Sequence, residues 1–114
     1  MSVQLEQSWR QSAGIGLIGR ALRERGPVMV GDELAEPDYR PTAVTRSVRS
    51  ELCVPLRTGD RMWGAVDIQD ERPDAFGEDD VRLLTAVADQ LGSALWALEL
   101  AEQVRHGSRL RSAI

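Results

Sequence analysis

The sequence predicts an α+β domain in which an antiparallel sheet carries a short helix from the first half of the chain and a long helix at its end. Two observations predict this class. Residues 50–57 and 61–70 form two alternating runs joined by a three-residue turn, which is typical of an antiparallel hairpin. From Glu78 onward, apolar residues recur at spacings of three and four, which is typical of a long helix. A chain of 114 residues is long enough for one such core.

The first half of the chain predicts an edge strand, a short helix and a second strand. Residues 3–9 alternate weakly between apolar and polar side chains. Three glycines then lead into a helix over residues 17–25, which Gly26 ends and Pro27 keeps from continuing. Residues 27–30 form a short apolar strand. Residues 32–50 show no clear period, which in a compact domain is typical of a lid, a binding segment or a disordered segment.

The predicted hairpin has one aliphatic face and one mixed face. Carboxylates share the mixed face with Cys53 and Trp63. A buried unpaired carboxylate is costly, whereas a cysteine and a tryptophan are unusual in open solvent. We therefore expect a partly covered small-molecule pocket beneath residues 32–50. In the alternative, Trp63 packs under that segment and the acids pair with Arg46 or Arg49. The candidate pocket residues are Tyr39, Glu51, Cys53, Trp63, Asp67 and Gln69.

The final helix carries two stripes on different sides. The first runs from Val81 to Leu98 and should pack on the sheet, and three acidic residues suit the helix dipole at its start. The second stripe predicts contact with another helix, and the alternative is a solvated face with incidental alanines. Its members are Ala86, Gln90, Ser93, Ala97, Leu100 and Val104.

The composition excludes several kinds of site. All 14 basic residues are arginine, so Schiff-base chemistry, a Walker-type phosphate loop and a protein-kinase site are excluded. A net charge of −4 argues against nucleic-acid binding. Cys53 and His106 are single, which excludes an internal disulfide and the multi-cysteine or paired-histidine zinc sites. We expect no metal and no cofactor.

No segment predicts a leader or a membrane span. The first nine residues lack a basic segment followed by an apolar run. The longest apolar stretch, residues 91–101, is too short to cross a bilayer. We therefore expect a cytoplasmic protein without membrane contact.

Six segments, taken in chain order, resemble GAF domains: GIGLIGRA (14–21), PVMVGD (27–32), EPDY (36–39), SELCVPL (50–56), GAVDI (64–68) and FGEDDVRLL (76–84). The resemblance covers residues 12–100 and implies an antiparallel sheet with its helices packed on one face and a small-molecule pocket on the other. It implies a truncated GAF-like domain over residues 1–100, without the usual first helix and first strand. Because that first helix normally packs beside the last one, its absence should leave apolar surface uncovered, which predicts a homodimer through residues 86–104. Residues 101–114 would form a C-terminal helical extension or linker.

The same resemblance implies a function. GAF domains are sensory or regulatory modules, often dimeric, whose last helix passes a signal to an effector domain or partner protein. Bacterial signalling proteins, particularly actinobacterial ones, look similar to this chain. We therefore expect a noncatalytic module that binds a small molecule, dimerises through its C-terminal helix, or does both. The lysine-free sequence lacks the Asn-Lys-Phe type of motif found in cyclic-nucleotide-binding members.

The chain more distantly resembles the free methionine-R-sulfoxide reductases, an enzymatic branch of the family. Glu51 and Asp67 match acids that hold substrate there, in S-E-x-x-x-P and G-x-x-D-I contexts. Gln69, however, replaces a second aspartate. Because Cys53 is the only thiol, a sulfenate on it would have no internal resolving thiol. A thiol-dependent reductase is therefore the alternative function, and no catalytic residue is expected.

Overall fold

Four strands and two α-helices form the described part of the chain in the computed structural model, which describes residues 2–6, 16–35 and 47–112. Side chains are described for residues 16–35 and 47–107. In chain order the elements are β1 (Ser2–Glu6), α1 (Gly16–Glu24), β2 (Val28–Val30), a 3₁₀-helix (Glu33–Ala35), β3 (Ser50–Thr58), β4 (Arg61–Asp70) and α2 (Glu78–Ser112). The α+β class predicted from the sequence is confirmed.

The sheet is antiparallel throughout, with strand order β1-β4-β3-β2. The predicted hairpin is its centre, because β3 and β4 pair along their whole length from Ser50↔Asp70 to Thr58↔Arg61. Gly59 adopts a φ of 56° in the connecting turn, a conformation that glycine takes without steric strain. The predicted edge strand is β1, which pairs with the outer side of β4.

α1 ends one residue earlier than the glycine pattern predicts. Its last residue is Glu24, and Arg25 rather than Gly26 takes the left-handed conformation that follows it, with a φ of 58°. A residue with this φ reverses the chain direction at the end of a helix. The chain returns at once through Pro27 into β2.

The two helices cover opposite faces of the sheet, whereas the resemblance placed them on one face. Leu17 and Ala21 of α1 pack with Cys53 and Ala65 on the mixed face. The small side chains of Cys53 and Ala65 leave room there for a helix. Apolar residues of α2 pack on the aliphatic face. The buried members of that second core are Leu52, Val54, Leu56, Val66, Ile68 and Ala88.

The buried side of α2 departs from the predicted stripe after Ala88. Leu91 and Leu98 are 38% and 67% exposed, whereas the buried Gly92 and the partly buried Leu95, itself a member of the predicted stripe, lie against the sheet. A Cβ on Gly92 would lie 2.4 Å from the carbonyl oxygen of Arg57. Glycine therefore lets α2 approach the β3–β4 turn at a point where leucine could not fit, and this close approach sets the buried face.

α2 continues unbroken to Ser112, so residues 101–112 of the predicted extension are helical. The division of the chain at residue 100 stays a prediction. Among the described helices, none has the length and apolar character needed to cross a bilayer.

Candidate functional site

Three polar side chains meet on the face of the sheet that α1 covers, and we call them the carboxyl network: Glu51, Asp67 and Gln69. Their exposed fractions are 7%, 1% and 7%. Gln69 Nε2 donates hydrogen bonds to Glu51 Oε1 at 3.0 Å and to Asp67 Oδ2 at 2.9 Å. The strand register makes this contact unavoidable, because Glu51 faces Gln69 directly and Asp67 precedes Gln69 on the same face. The structure thus brings together three residues that the sequence predicted as neighbours.

The surroundings of Asp67 favour the protonated form of its carboxyl. Burial raises its pKa to about 10, with further contributions from the hydrogen bond to Glu51 and from the negative charges of Glu51 and Glu33. The Gln69 hydrogen bond lowers the pKa by a smaller amount. Because the charged form is so disfavoured, Asp67 is available as a hydrogen-bond donor within the network.

Glu33 is a further acid near the network that the sequence analysis missed. It is fully buried in the 3₁₀-helix after β2, and its charge acts on Asp67. Its backbone N–H donates to the Arg49 carbonyl oxygen at 2.6 Å. Glu33 lies in a segment without periodicity, so no pattern marks it as buried. The one available signal is its place directly after Asp32, near the end of β2.

Cys53 lies beside Asp67 in the strand register and is fully buried. Burial raises the pKa of its thiol, and the nearby charges of Asp67 and Glu51 raise it further. A nucleophilic cysteine needs the opposite, a lowered pKa in an electropositive setting. Cys53 instead packs with Leu17 and Ala21 as a small hydrophobic residue.

Trp63 does not join the network, and the prediction that it lines the pocket is wrong. The register passes from Leu56↔Gly64 to Arg57↔Met62, so Trp63 is the extra residue of a β-bulge. Gly64 has a φ of 154° at this point. The bulge breaks the alternation, and Trp63 packs with the core beneath α2 on the opposite face. Tyr39, the remaining pocket candidate, lies outside the described residues.

Arg49 pairs with Asp32 rather than with the network acids. Its Nε and Nη2 donate to the two oxygens of the Asp32 carboxylate at 3.0 and 2.9 Å. This bidentate pair lowers the pKa of Asp32. It also joins the two ends of the aperiodic segment, at residues 32 and 49. Arg46, the other arginine considered for the acids, lies outside the described residues.

The predicted dimer face lies on the outer side of α2. All six of its residues are exposed, with Leu100 at 42% and Val104 at 68%. The structure therefore places them on a common accessible surface, and their pairing with a second chain stays a prediction. The residues are Ala86, Gln90, Ser93, Ala97, Leu100 and Val104.

The described residues thus form an antiparallel sheet with one helix on each face. The buried carboxyl network lies on the face that α1 covers, and this arrangement is an α+β domain. The family model of the GAF domain matches residues 2–95, and the chain belongs to the GAF domain family. Among curated proteins, none matches the chain.

Solved structures of two kinds resemble the chain. The free methionine-R-sulfoxide reductase from Neisseria meningitidis, in complex with its substrate, is 35% identical with a TM-score of 0.70, over 77% of this chain and 52% of that one. The type II reductase from Thermoplasma acidophilum is 29% identical with a TM-score of 0.65, over 72% and 57%. The GAF domain of an Acinetobacter phosphoenolpyruvate-protein phosphotransferase is 18% identical with a TM-score of 0.66, over 80% and 53%, and shows the fold alone. This chain therefore spans about half the length of these structures.

Proposed function

We propose that this GAF domain is a noncatalytic regulatory module of a bacterial signalling protein, which binds a small molecule at the carboxyl network. The observation that carries the proposal is the burial of Glu51, Asp67 and Gln69 in mutual hydrogen bonds beneath α1. Small-molecule sites are mostly apolar with a few placed polar groups. The network shares its face of the sheet with the apolar cluster of Leu17, Ala21 and Ala65, which is a composition of that kind.

Two further parts of the proposal concern the oligomeric state and the location in the cell. We propose that the outer face of α2 pairs two copies of the chain and that this helix passes the signal to an effector domain or partner protein. The module acts in the cytoplasm, without nucleic-acid or membrane contact. The exposed Leu100 and Val104 support the pairing, since exposed apolar side chains on a helix favour association.

Ligand binding is tested by thermal unfolding with methionine-R-sulfoxide, methionine and a panel of other small metabolites. A ligand at about 100 times its Kd should stabilise the folded chain by about 2.7 kcal/mol, which raises the Tm by several degrees. Asp67→Ala should abolish the shift, because it removes both carboxyl oxygens from the network. Asp79→Ala, in the exposed first turn of α2, is the matched control and should keep the shift. No shift with any compound would contradict ligand binding and leave a purely architectural module.

A thiol-dependent reductase is the second candidate function. The 35% identity to the Neisseria meningitidis reductase supports it, and the burial and raised pKa of Cys53 oppose it. Consumption of free methionine-R-sulfoxide with an external dithiol, compared between wild type and Cys53→Ser, separates the two functions. We expect no turnover by either protein. Turnover that disappears in Cys53→Ser would overturn the noncatalytic proposal.

A further inference from the structure

The turn between β3 and β4 touches both sides of the molecule, and we call residues 57–63 the hairpin latch. On the α1 side, Arg25 follows the last residue of that helix. Its Nη2 donates to the carbonyl oxygen of Asp60 at 3.1 Å and lies 3.7 Å from Asp60 Oδ1. The end of α1 is thereby fixed to the tip of the hairpin.

On the opposite face, the latch is attached to α2 at two points. Thr58 Oγ1 donates to the carbonyl oxygen of Gly92 at 2.7 Å, and Arg61 Nη2 pairs with Glu99 Oε1 at 3.0 Å. Gly92 and Glu99 are seven residues apart, about two helical turns, and therefore lie on one side of α2. The absent side chain of Gly92 lets the helix backbone approach the Arg57 carbonyl directly.

Contacts inside the latch connect these attachments to one another. Trp63 Nε1 donates to Thr58 Oγ1 at 3.0 Å, so the same hydroxyl accepts from the hairpin and donates to α2. The Arg61 guanidinium lies 4.3 Å from the centre of the Trp63 ring, a cation–π distance, while it pairs with Glu99. A shift of the turn therefore changes both of its contacts with α2.

We propose that the hairpin latch couples α1 to α2, so that a displacement of α1 alters the attachment of α2 between Gly92 and Glu99. α1 rests on the face of the sheet that carries the carboxyl network, through Leu17 and Ala21. The latch thus joins the network side of the domain to the long helix around the end of the sheet. The coupling is a property of the chain alone and does not depend on whether the network binds a ligand.

Hydrogen exchange of the whole chain tests the coupling through Arg25→Ala. Arg25 contacts the turn from the α1 side, whereas the amides of residues 92–99 lie on α2. We expect these amides to exchange about threefold to fivefold faster in the variant. The effect should be small because Arg25→Ala removes one exposed ion pair and one hydrogen bond. Arg20→Ala is the matched control, because Arg20 pairs with Glu24 within α1. Unchanged exchange at residues 92–99 in Arg25→Ala, or an equal change in Arg20→Ala, would overturn the proposal.

A mutant cycle that removes both attachments to α2 distinguishes coupling from general destabilisation. If the latch transmits the effect, Arg25→Ala should add little in a background that carries Thr58→Val and Arg61→Ala together. Additive effects of Arg25→Ala in that background at residues 92–99 would contradict the coupling. The amides of residues 81–88 on the same helix are the internal reference, and an equal acceleration there would also contradict it.

Discussion

At the scale of single residues, Asp67 connects the candidate site to the stability of the fold. Its pKa is about 10 in the folded chain, against an ordinary value of 3.8. Between these values the folded chain holds a proton that the unfolded chain has released. Unfolding therefore releases a proton, and a rising pH favours unfolding. The stabilising contribution of Asp67 is complete below about pH 4 and is lost progressively as the pH rises toward 10.

We expect Asp67→Asn to flatten this pH dependence, since an amide does not ionise. The stability of wild type relative to the variant should fall between pH 5 and pH 8, by at most about 1.4 kcal/mol per pH unit. Arg72 lowers the pKa of Asp70 to about 2, so Asp70 changes the pH dependence of the stability only below about pH 4, outside this range. Urea unfolding followed by circular dichroism at several pH values measures the difference. A difference that stays constant from pH 5 to pH 8 would contradict the assignment of the proton to Asp67.

At the scale of elements, the packing of α2 depends on Gly92. An alanine there has the better helix propensity by about 1 kcal/mol, yet its Cβ would meet the Arg57 backbone. Because backbone atoms cannot move aside as a flexible side chain can, we expect Gly92→Ala to destabilise the fold by about 1–3 kcal/mol. Gly107→Ala is the matched control: it lies in the same helix with no atom within 4 Å of its Cβ, so propensity alone acts. Urea midpoints that shift in the same direction for both variants would contradict this account.

The sequence predicts the elements well where apolar periodicity is strong. The bounds of β4 match, β3 is one residue longer than predicted, and α2 begins at Glu78 as expected. The apolar pattern of a sequence does not reveal where a bulge or a close contact between helix and sheet interrupts it. The bulge at Trp63 and the close approach at Gly92 both arise from the geometry of the β3–β4 turn, which brings together residues distant in sequence. The errors in the predictions for Trp63 and Leu98 follow from those interruptions.

The candidate site, too, could be predicted only where the sequence pattern is regular. Glu51, Asp67 and Gln69 could be predicted together because strand alternation and hairpin register are local properties. Glu33 could not, because its burial depends on how the aperiodic segment after β2 folds against the sheet. The partner of Arg49 was likewise not predicted, since the sequence offers several acids to one arginine.

At the scale of the whole molecule, α2 extends past the sheet. Its 35 residues span roughly 52 Å, whereas the ten residues of β4 span roughly 33 Å. Residues 100–106 are exposed, with Leu100 and Val104 among them. These two side chains lie on the outer side of α2, which faces away from the sheet, and a second copy of the chain would cover them.

We therefore expect the unfolding midpoint to rise with protein concentration, because association stabilises the folded state by mass action. Leu100→Glu combined with Val104→Glu should abolish this dependence and give a monomer by light scattering, since charge on the paired face opposes association. Leu34→Glu is the matched control, because Leu34 is 70% exposed on the 3₁₀-helix, away from α2. A stable wild-type monomer at micromolar concentration would contradict the homodimer.

Because Cys53 is buried, the reaction of its thiol with a soluble reagent reports local opening of the fold. Its thiol lies at the centre of the sheet, between β2 and β4, and is the only one in the sequence. A soluble thiol reagent can reach it only when α1 or the strands separate, so the labelling rate counts molecules in which this part of the structure has opened. Each variant described above that retains Cys53 can therefore be compared in native buffer, without denaturant, by the rate at which this single thiol becomes modified.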